Sequence, residues 1–301
     1  MIKNLAFSGT SSKFFIILGV FKSLFDYDYI NLNDIENIIC SSGSILVIYY
    51  LLLGYNLNDI RKILIKIDMN VLLFNNKYNE NIIENIFDYN CIINNKKFRE
   101  IFELFTHNKI KKSTITFKEL YDLSGICLII NAFCLETGKL EYFTYKSHPD
   151  MNVIDAILMT VAMPIVFQPV SYNGKTYSDP GIVKHIDIDY YFKDINIVED
   201  KYLYDKINNE TLGIIVDTSN VEYVYNTGAK SDDEKIIRLV NYLSKIFCAI
   251  IDTRDDYKKY NYIKIPSDIK IYNIEVSEDI KNKLIILGYK ECYNYIKNKK
   301  Y

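Results

Sequence analysis

The chain up to Gly54 carries the same short pattern twice, and that repetition constrains the fold more than any other feature of the sequence. Residues 4–7 form an apolar run of strand length, Ser8-Gly9-Thr10 makes a tight turn, and Phe14, Ile17, Leu18, Phe21 and Leu24 then recur at helical spacing. The second copy runs from residues 34–40, which end on Ile38-Ile39-Cys40, through the small-residue turn Ser41-Ser42-Gly43-Ser44. It finishes in residues 45–53, apolar on every side up to Gly54. A helix that is apolar all round belongs inside a molecule. Two strand, turn and helix units in succession predict a parallel or mixed sheet covered by helices on both faces.

The rest of the chain extends that α/β pattern. Residues 58–112 contain no glycine and place Phe98, Ile101, Phe102 and Phe105 at helical spacing, which reads as a helical insertion or cap. Thr116-Phe117-Lys118-Glu119 is a capping box, and Gly125 stands where a helix would stop. Strands are expected at 126–131 and 142–145 around the turn Glu136-Thr137-Gly138-Lys139, then a short helix over 153–161 ended by Pro164. Residues 167–172 and 175–178 flank Asn173-Gly174, the pair best suited to a hairpin because both residues accept positive φ. Further on, the pattern predicts strands at 212–217, 263–265 and 271–274, a helix capped by Ser231 and Glu234 running to about 252, and a last helix bracketed by Ser277 and Gly288. No repeat or linker divides the chain, so residues 1–301 are expected to form one domain. Its core would be 4–217, its insertion about 58–112, and its C-terminal helices and strands 218–301.

Composition removes several function classes. Lys plus Arg number 36 against 38 Asp plus Glu, a net charge of -2, so nothing in the balance draws the chain to nucleic acid. Three histidines, with no H-E-x-x-H motif and no Cys-x-x-Cys among six cysteines, leave a metal site without ligands at workable spacing. The cysteines lie mostly in apolar runs, as free thiols do in a reducing compartment. No signal peptide is legible, and the longest apolar run is shorter than the roughly 20 residues a spanning helix needs. A cytoplasmic location is the expectation. Neither a metal nor an organic cofactor is expected.

Reaction centres in helix-covered sheets form where strands run into helix N-termini. Both such loops here are small-residue loops, Ser8-Gly9-Thr10-Ser11 and Cys40-Ser41-Ser42-Gly43. A serine at a sharp strand-to-helix turn is held exposed, with backbone N–H groups nearby to stabilise an oxyanion. It needs a base. No histidine is marked by its neighbours, whereas Asp179 is delivered by the hairpin and held by Pro180 and Gly181, so a serine-aspartate dyad is the reading these residues favour.

These residues resemble the patatin-like phospholipases, a family with a G-G-G-x-[RK]-G loop, a G-x-S-x-G elbow, an A-x-x-x-P segment and a D-G-[GA] motif. Gly9-Thr10-Ser11-Ser12-Lys13-Phe14, Ile39-Cys40-Ser41-Ser42-Gly43, the segment from Ala162-Met163-Pro164 to Val170, and Asp179-Pro180-Gly181 take those places in the same order. The resemblance covers about residues 4–217, and its style is similar to the members found in large DNA viruses. It implies a three-layer α/β/α fold and a calcium-independent lipid acyl hydrolase with Ser41 as nucleophile and Asp179 as base. It further implies an oxyanion loop of Gly9, Thr10 and Ser11, an elbow of Cys40, Ser42 and Gly43, and Lys13 at the loop's basic position, near an anionic head group. The partner would be a phospholipid or another acyl lipid at a membrane surface, and the apolar groove would lie between the elbow helix and the 58–112 helices.

Four departures bear on retained activity: Thr10 and Ser11 in place of glycines, Ile39 two residues before Ser41, and Pro180 after the aspartate. A β-branched residue at a positive φ is strongly disfavoured, a bulky one crowds an elbow, and proline removes a donor. A pseudoenzyme that binds lipid or a protein partner is the alternative, and acyl transfer to an acceptor other than water would use the same residues. Cys40 is expected to pack under the elbow. The acidic stretch 187–200 is expected to cover a solvated face.

Overall fold

A computed structural model describes residues 1–66, 91–195, 200–217, 257–267 and 277–299. The helix expected after Ser231 and the strand expected at 271–274 lie outside the described residues. The described elements run β1 (Asn4–Phe7), α1 (Phe15–Asp26), β2 (Asn37–Cys40), α2 (Ile45–Leu52) and α3 (Leu57–Lys66), then β3 (Cys91–Ile93), α4 (Lys96–Ile110) and α5 (Phe117–Ser124). They continue through β4 (Cys127–Cys134), β5 (Lys139–Phe143), α6 (Val153–Thr160), β6 (Ile165–Phe167), β7 (Val170–Tyr172) and β8 (Lys175–Ser178). The last are α7 (Lys201–Glu210), β9 (Thr211–Asp217), β10 (Tyr262–Pro266) and α8 (Glu278–Lys299).

The central sheet has the order β10-β9-β1-β2-β4-β8-β7, with β5 on a further edge of β4. Pairings from β10 to β4 are parallel, and those of β4 with β5 and β8 and of β8 with β7 are antiparallel. Successive side chains of a strand face opposite ways, and the buried residues sort accordingly. Leu5, Phe7, Ile38, Cys40, Leu128, Ile130, Ile214 and Val216 enter the core shared with α1, α2, α4, α6 and α8. Ala6, Ile39, Cys127, Ile129 and Ile215 enter a second core with Ile188, Phe192 and the inner face of α7. A mixed sheet between two helical layers is the fold that the two strand, turn and helix units predict.

One detail of register positions the site. β5 occupies one edge of β4 from Ile130 to Cys134, so β8, which pairs with Phe133 and Cys134, uses the edge that β2 fills only as far as Ile130. The end of β8 therefore lies beyond the end of β2, and the loops after these two strands meet.

The Thr116–Glu119 capping box closes α5 at its start, and Gly125 ends it in the left-handed region at φ 71. Asn173 and Gly174 turn the β7–β8 hairpin at φ 48 and 75. Several expectations change. The strand expected at 167–172 is divided between β6, which ends at Phe167, and β7, which starts at Val170, and the one expected at 142–145 runs Lys139–Phe143. Residues 32–34 form a helical turn, so β2 starts at Asn37 rather than at 34. The insertion contributes a short strand, β3, whose pairing with β6 was not legible in its sequence. Gly288 does not end the last helix: α8 passes through it, because a Cβ there would lie 2.1 Å from the Ile16 carbonyl oxygen of α1. Gly19 mirrors it, where a Cβ would fall 1.9 Å from the carbonyl oxygen of Ile285, so two glycines let α1 and α8 cross backbone to backbone. Among the described residues no helix is long and apolar enough to cross a membrane.

Candidate active site

β2 ends at Cys40, and the chain then reverses sharply. Ser41 is still extended, with φ -122 and ψ 143. Ser42 takes φ 52, the left-handed region that a side-chain-bearing residue enters only where the fold requires it. The turn Ser42–Ser44 leads directly into α2, whose N-terminus faces the turn with its positive dipole end. The two adjacent serines consequently face different surroundings. Ser42 Oγ donates to Asp179 Oδ2 at 2.6 Å, whereas Ser41 Oγ donates to Asn131 Oδ1 of β4 at 2.9 Å and is fully buried.

The structure thus brings Ser42, not Ser41, to Asp179. The physical reason is the place of the sharp turn: the elbow forms one residue later than the spacing to Gly43 suggested, and only the residue at its apex projects over the ends of the strands. In this frame the small residues two before and two after the apex are Cys40 and Ser44. Ile39 is an ordinary strand residue paired with Ala6 and Ile129, and it does not crowd the turn. Cys40 is fully buried under the elbow, where burial holds its thiol far above the usual range. Ser44 Oγ closes the turn by donating to the Ser41 carbonyl at 2.8 Å, and the Ser42 N–H donates to Thr160 Oγ1 at the end of α6 at 2.9 Å.

Asp179 follows β8 and is 5% exposed. Its N–H donates to the Ala162 carbonyl at 2.9 Å, and the neighbouring Ser178 hydroxyl donates to the same oxygen at 2.8 Å. Its Oδ1 accepts the Gly181 N–H at 2.7 Å, so the carboxylate is held at one oxygen by its own loop and at the other by Ser42. Pro180 sits at the first position of the helical turn Pro180–Ile182, where its φ is suitable and its missing donor is not needed. Burial pushes the Asp179 carboxyl up to about 6, with the Ser42 and Gly181 hydrogen bonds pulling the other way. A carboxylate raised into this range is suited to accept a proton near neutral pH.

The loop after β1 packs against the elbow. A Cβ on Gly43 would lie 2.4 Å from the Ser11 carbonyl oxygen, and one on Gly9 would lie 3.5 Å from Ser42 Cβ. The left-handed position in this loop is Ser11, at φ 47, while Thr10 takes φ -127, so the β-branched residue carries no such strain. Gly9's N–H donates to the His185 carbonyl at 3.0 Å. Thr10 Oγ1 is buried next to Gly43 without a hydrogen-bond partner among the described residues. Lys13 is fully buried in the turn Ser11–Lys13 and is not a lysine at the surface.

Burial bears on two further expectations. α2 and α4 leave no groove between themselves, since Tyr49 and Tyr50 pack on Phe102 with ring centroids 5.8 and 6.0 Å apart and the Tyr49 hydroxyl bonds to Thr106 at 2.7 Å; residues 67–90 of the insertion lie outside the described residues. The acidic stretch is not a solvated face throughout, since Asp187 is 2% exposed and accepts from the Tyr142 hydroxyl at 2.6 Å and from Lys184 at 2.8 Å. Thr160, Asn131, Asp187 and Lys184 escaped sequence reasoning. A signal existed for two of them, because Asn131 and Asp187 each interrupt an apolar run, Ile130-Asn131-Ala132 and Ile186-Asp187-Ile188.

Comparison with known proteins adds three findings. A family model of patatin-like phospholipases matches residues 5–190. A "probable lipid hydrolase" of Invertebrate iridescent virus 6 is 30% identical over 199 residues, 62% of this chain and 62% of that protein, and an uncharacterized protein of Acanthamoeba polyphaga mimivirus is 28% identical over 180 residues, 60% and 58% of the two. The matches span less than two thirds of these relatives' length. Among solved structures, VipD from Legionella pneumophila superposes with a TM-score of 0.63 at 13% identity, covering 99% of this chain and 67% of VipD. ExoU of Pseudomonas aeruginosa, in its complex with SpcU, gives 0.50 at 14%, covering 99% and 51%. Likeness at such identities shows the fold.

Proposed function

The chain belongs to the patatin-like phospholipase family, and from that premise we propose that it is a lipid acyl hydrolase in which Ser42 is the nucleophile and Asp179 its base. The observation that carries this reading is the 2.6 Å hydrogen bond from Ser42 Oγ to a buried carboxylate, made at a left-handed turn before a helix. Asp179 takes the hydroxyl proton as Ser42 Oγ attacks the carbonyl carbon of an ester. The tetrahedral oxyanion is stabilised by the loop packed against the elbow. The Gly9 N–H is engaged with His185, and the buried Thr10 hydroxyl of the same loop lies beside the elbow as a donor for that task. Asp179 returns the proton to the leaving alcohol; water, deprotonated by the same aspartate, then attacks the acyl carbon, and Asp179 passes that proton to Ser42 Oγ as the fatty acid leaves. The substrate class is a phospholipid or a related acyl lipid met at a membrane surface. The scheme needs no metal or organic cofactor.

A fluorophosphonate probe, which reacts only with an activated serine, tests this directly. Mass spectrometry of the labelled protein is expected to place the adduct on Ser42, to find none in Ser42→Ala, and to find labelling slowed by a factor on the order of 10³ or more in Asp179→Asn. Ser41→Ala should still label at position 42. Adduct formation on Ser41, or none on the folded wild type, removes the mechanism and leaves a lipid-binding relative on the same fold.

A further inference from the structure

The residues after Asp179 do not leave the site. They cross the ends of the strands, and several of their bonds are to elements that carry part of the candidate active site or flank it. The Gly9 N–H donates to the His185 carbonyl, and a His185 ring nitrogen, Nε2, lies 3.0 Å from the Val216 carbonyl oxygen at the end of β9. The hydroxyl of Tyr191 donates to the Leu5 carbonyl of β1 at 2.7 Å and accepts the Ile39 N–H of β2 at 3.0 Å. Between these two contacts lies Asp187, the buried carboxylate that the dyad itself does not use. Its Oδ2 accepts from Asn131 Nδ2 at 3.3 Å and from the Tyr142 hydroxyl at 2.6 Å, and its Oδ1 accepts from Lys184 Nζ at 2.8 Å.

Those bonds close a ring. Asn131 can present its amide nitrogen to Asp187 only by turning its carbonyl oxygen the other way, and that oxygen accepts the Ser41 hydroxyl. Ser41 precedes Ser42, while Lys184 lies shortly after Asp179 in the same loop. We propose that Asp187 is a positioning residue for the dyad: itself on the loop that carries the base and braced within it by Lys184, it ties that loop through Asn131 and Ser41 to the elbow, and so holds Ser42 Oγ and Asp179 Oδ2 at hydrogen-bond distance. This rests on the assignment of Ser42 and Asp179 as nucleophile and base. A buried carboxylate with three donors is a stiff anchor, because losing any donor leaves a desolvated oxygen unpaired.

The role has a signature that a purely structural bond lacks. The Ser42 hydrogen bond stabilises the charged form of Asp179, so loosening the ring weakens that bond and lets burial raise the carboxyl further. The experiment is the rate of fluorophosphonate labelling, measured against probe concentration and pH, in the wild type, Asp187→Asn and Lys184→Met. Asparagine keeps an acceptor for Tyr142 but turns an amide nitrogen towards Lys184, and methionine removes both bonds of Lys184, to Asp187 and to Asp189, each 2.8 Å.

The expected result for both variants is a maximal labelling rate lower by about tenfold to a hundredfold, with half-saturation by the probe little changed, and an acid limb displaced to higher pH. If Asp187→Asn does not fold, as judged by circular dichroism, the Lys184→Met profile decides. A folded variant with the wild-type maximal rate and acid limb overturns the proposal while leaving the dyad standing. Absence of labelling in the folded wild type overturns the dyad itself, so the two failures are distinguishable.

Discussion

At the scale of single residues, two serines side by side divide into an anchor and a candidate nucleophile, and nothing in their own chemistry separates them. What separates them is backbone: Ser41 continues the strand and buries its hydroxyl against Asn131, while Ser42 turns at φ 52 and meets Asp179. The aspartate leads to a pH prediction. Its carboxyl sits at about 6 because burial disfavours the charge. A base must be deprotonated, so labelling of Ser42 is expected to rise with pH through about 6 and to level off above it. Stability should run the opposite way. A carboxyl whose folded pKa is raised above its unfolded value favours the folded state while protonated, and that contribution is lost as pH rises from the unfolded value, about 3.9, through about 6. Asp179→Asn should therefore stabilise the protein above pH 6, by up to about 3 kcal/mol, with the gain vanishing below about pH 4. Denaturant melts across that range check the sign. The sequence pointed to the aspartate, through its hairpin and its Pro-Gly, and to Ser41 as its partner, whereas the structure pairs it with Ser42, because a turn's apex depends on where the strand stops pairing.

At the scale of elements, the site is a contact between two loops that each follow a strand, and Gly43 is where they touch. A Cβ there would come within 2.4 Å of the Ser11 carbonyl, a backbone atom that moves only if the whole turn after β1 moves. Gly43→Ala is expected to lower the labelling rate at Ser42 by more than about tenfold and to destabilise the protein by about 1–3 kcal/mol. Labelling kinetics and denaturant titration of the one variant test both. Small residues in this loop were legible as a group from the sequence up to Gly54. Which of them must lack a side chain was not, because the restriction comes from the turn after β1, which α1 and β2 separate from Gly43 along the chain. The same holds for Thr10, whose β-branched side chain is accommodated because the left-handed φ falls on Ser11.

At the scale of the whole molecule, the C-terminal helix is fastened to the first one through Gly19 and Gly288, far along the chain from the dyad. Gly288→Ala would put a methyl group 2.1 Å from the Ile16 carbonyl oxygen and force α1 and α8 apart. A loss of about 1–3 kcal/mol in denaturant unfolding is expected, with the acid limb of Ser42 labelling unchanged, since the strand ends that set Asp179 are not part of that crossing. A glycine near the end of a helical pattern reads as a stop signal in sequence, because the chain alone does not show that another backbone needs the space.

Hydrophobic period, turn chemistry and capping act between residues a few positions apart. They sufficed to determine the α/β class, the β7–β8 hairpin, the α5 cap and the loops that would hold the site. Pairing across long separations decided the rest. The free edge of β4 beyond Ile130 brings β8, and with it Asp179, to the end of β2. The stopping point of β2 at Cys40 makes Ser42 rather than Ser41 the residue that meets it. Those two facts depend on which strand edges are left unfilled once the sheet has closed, a property of the assembled sheet and not of any local stretch of chain.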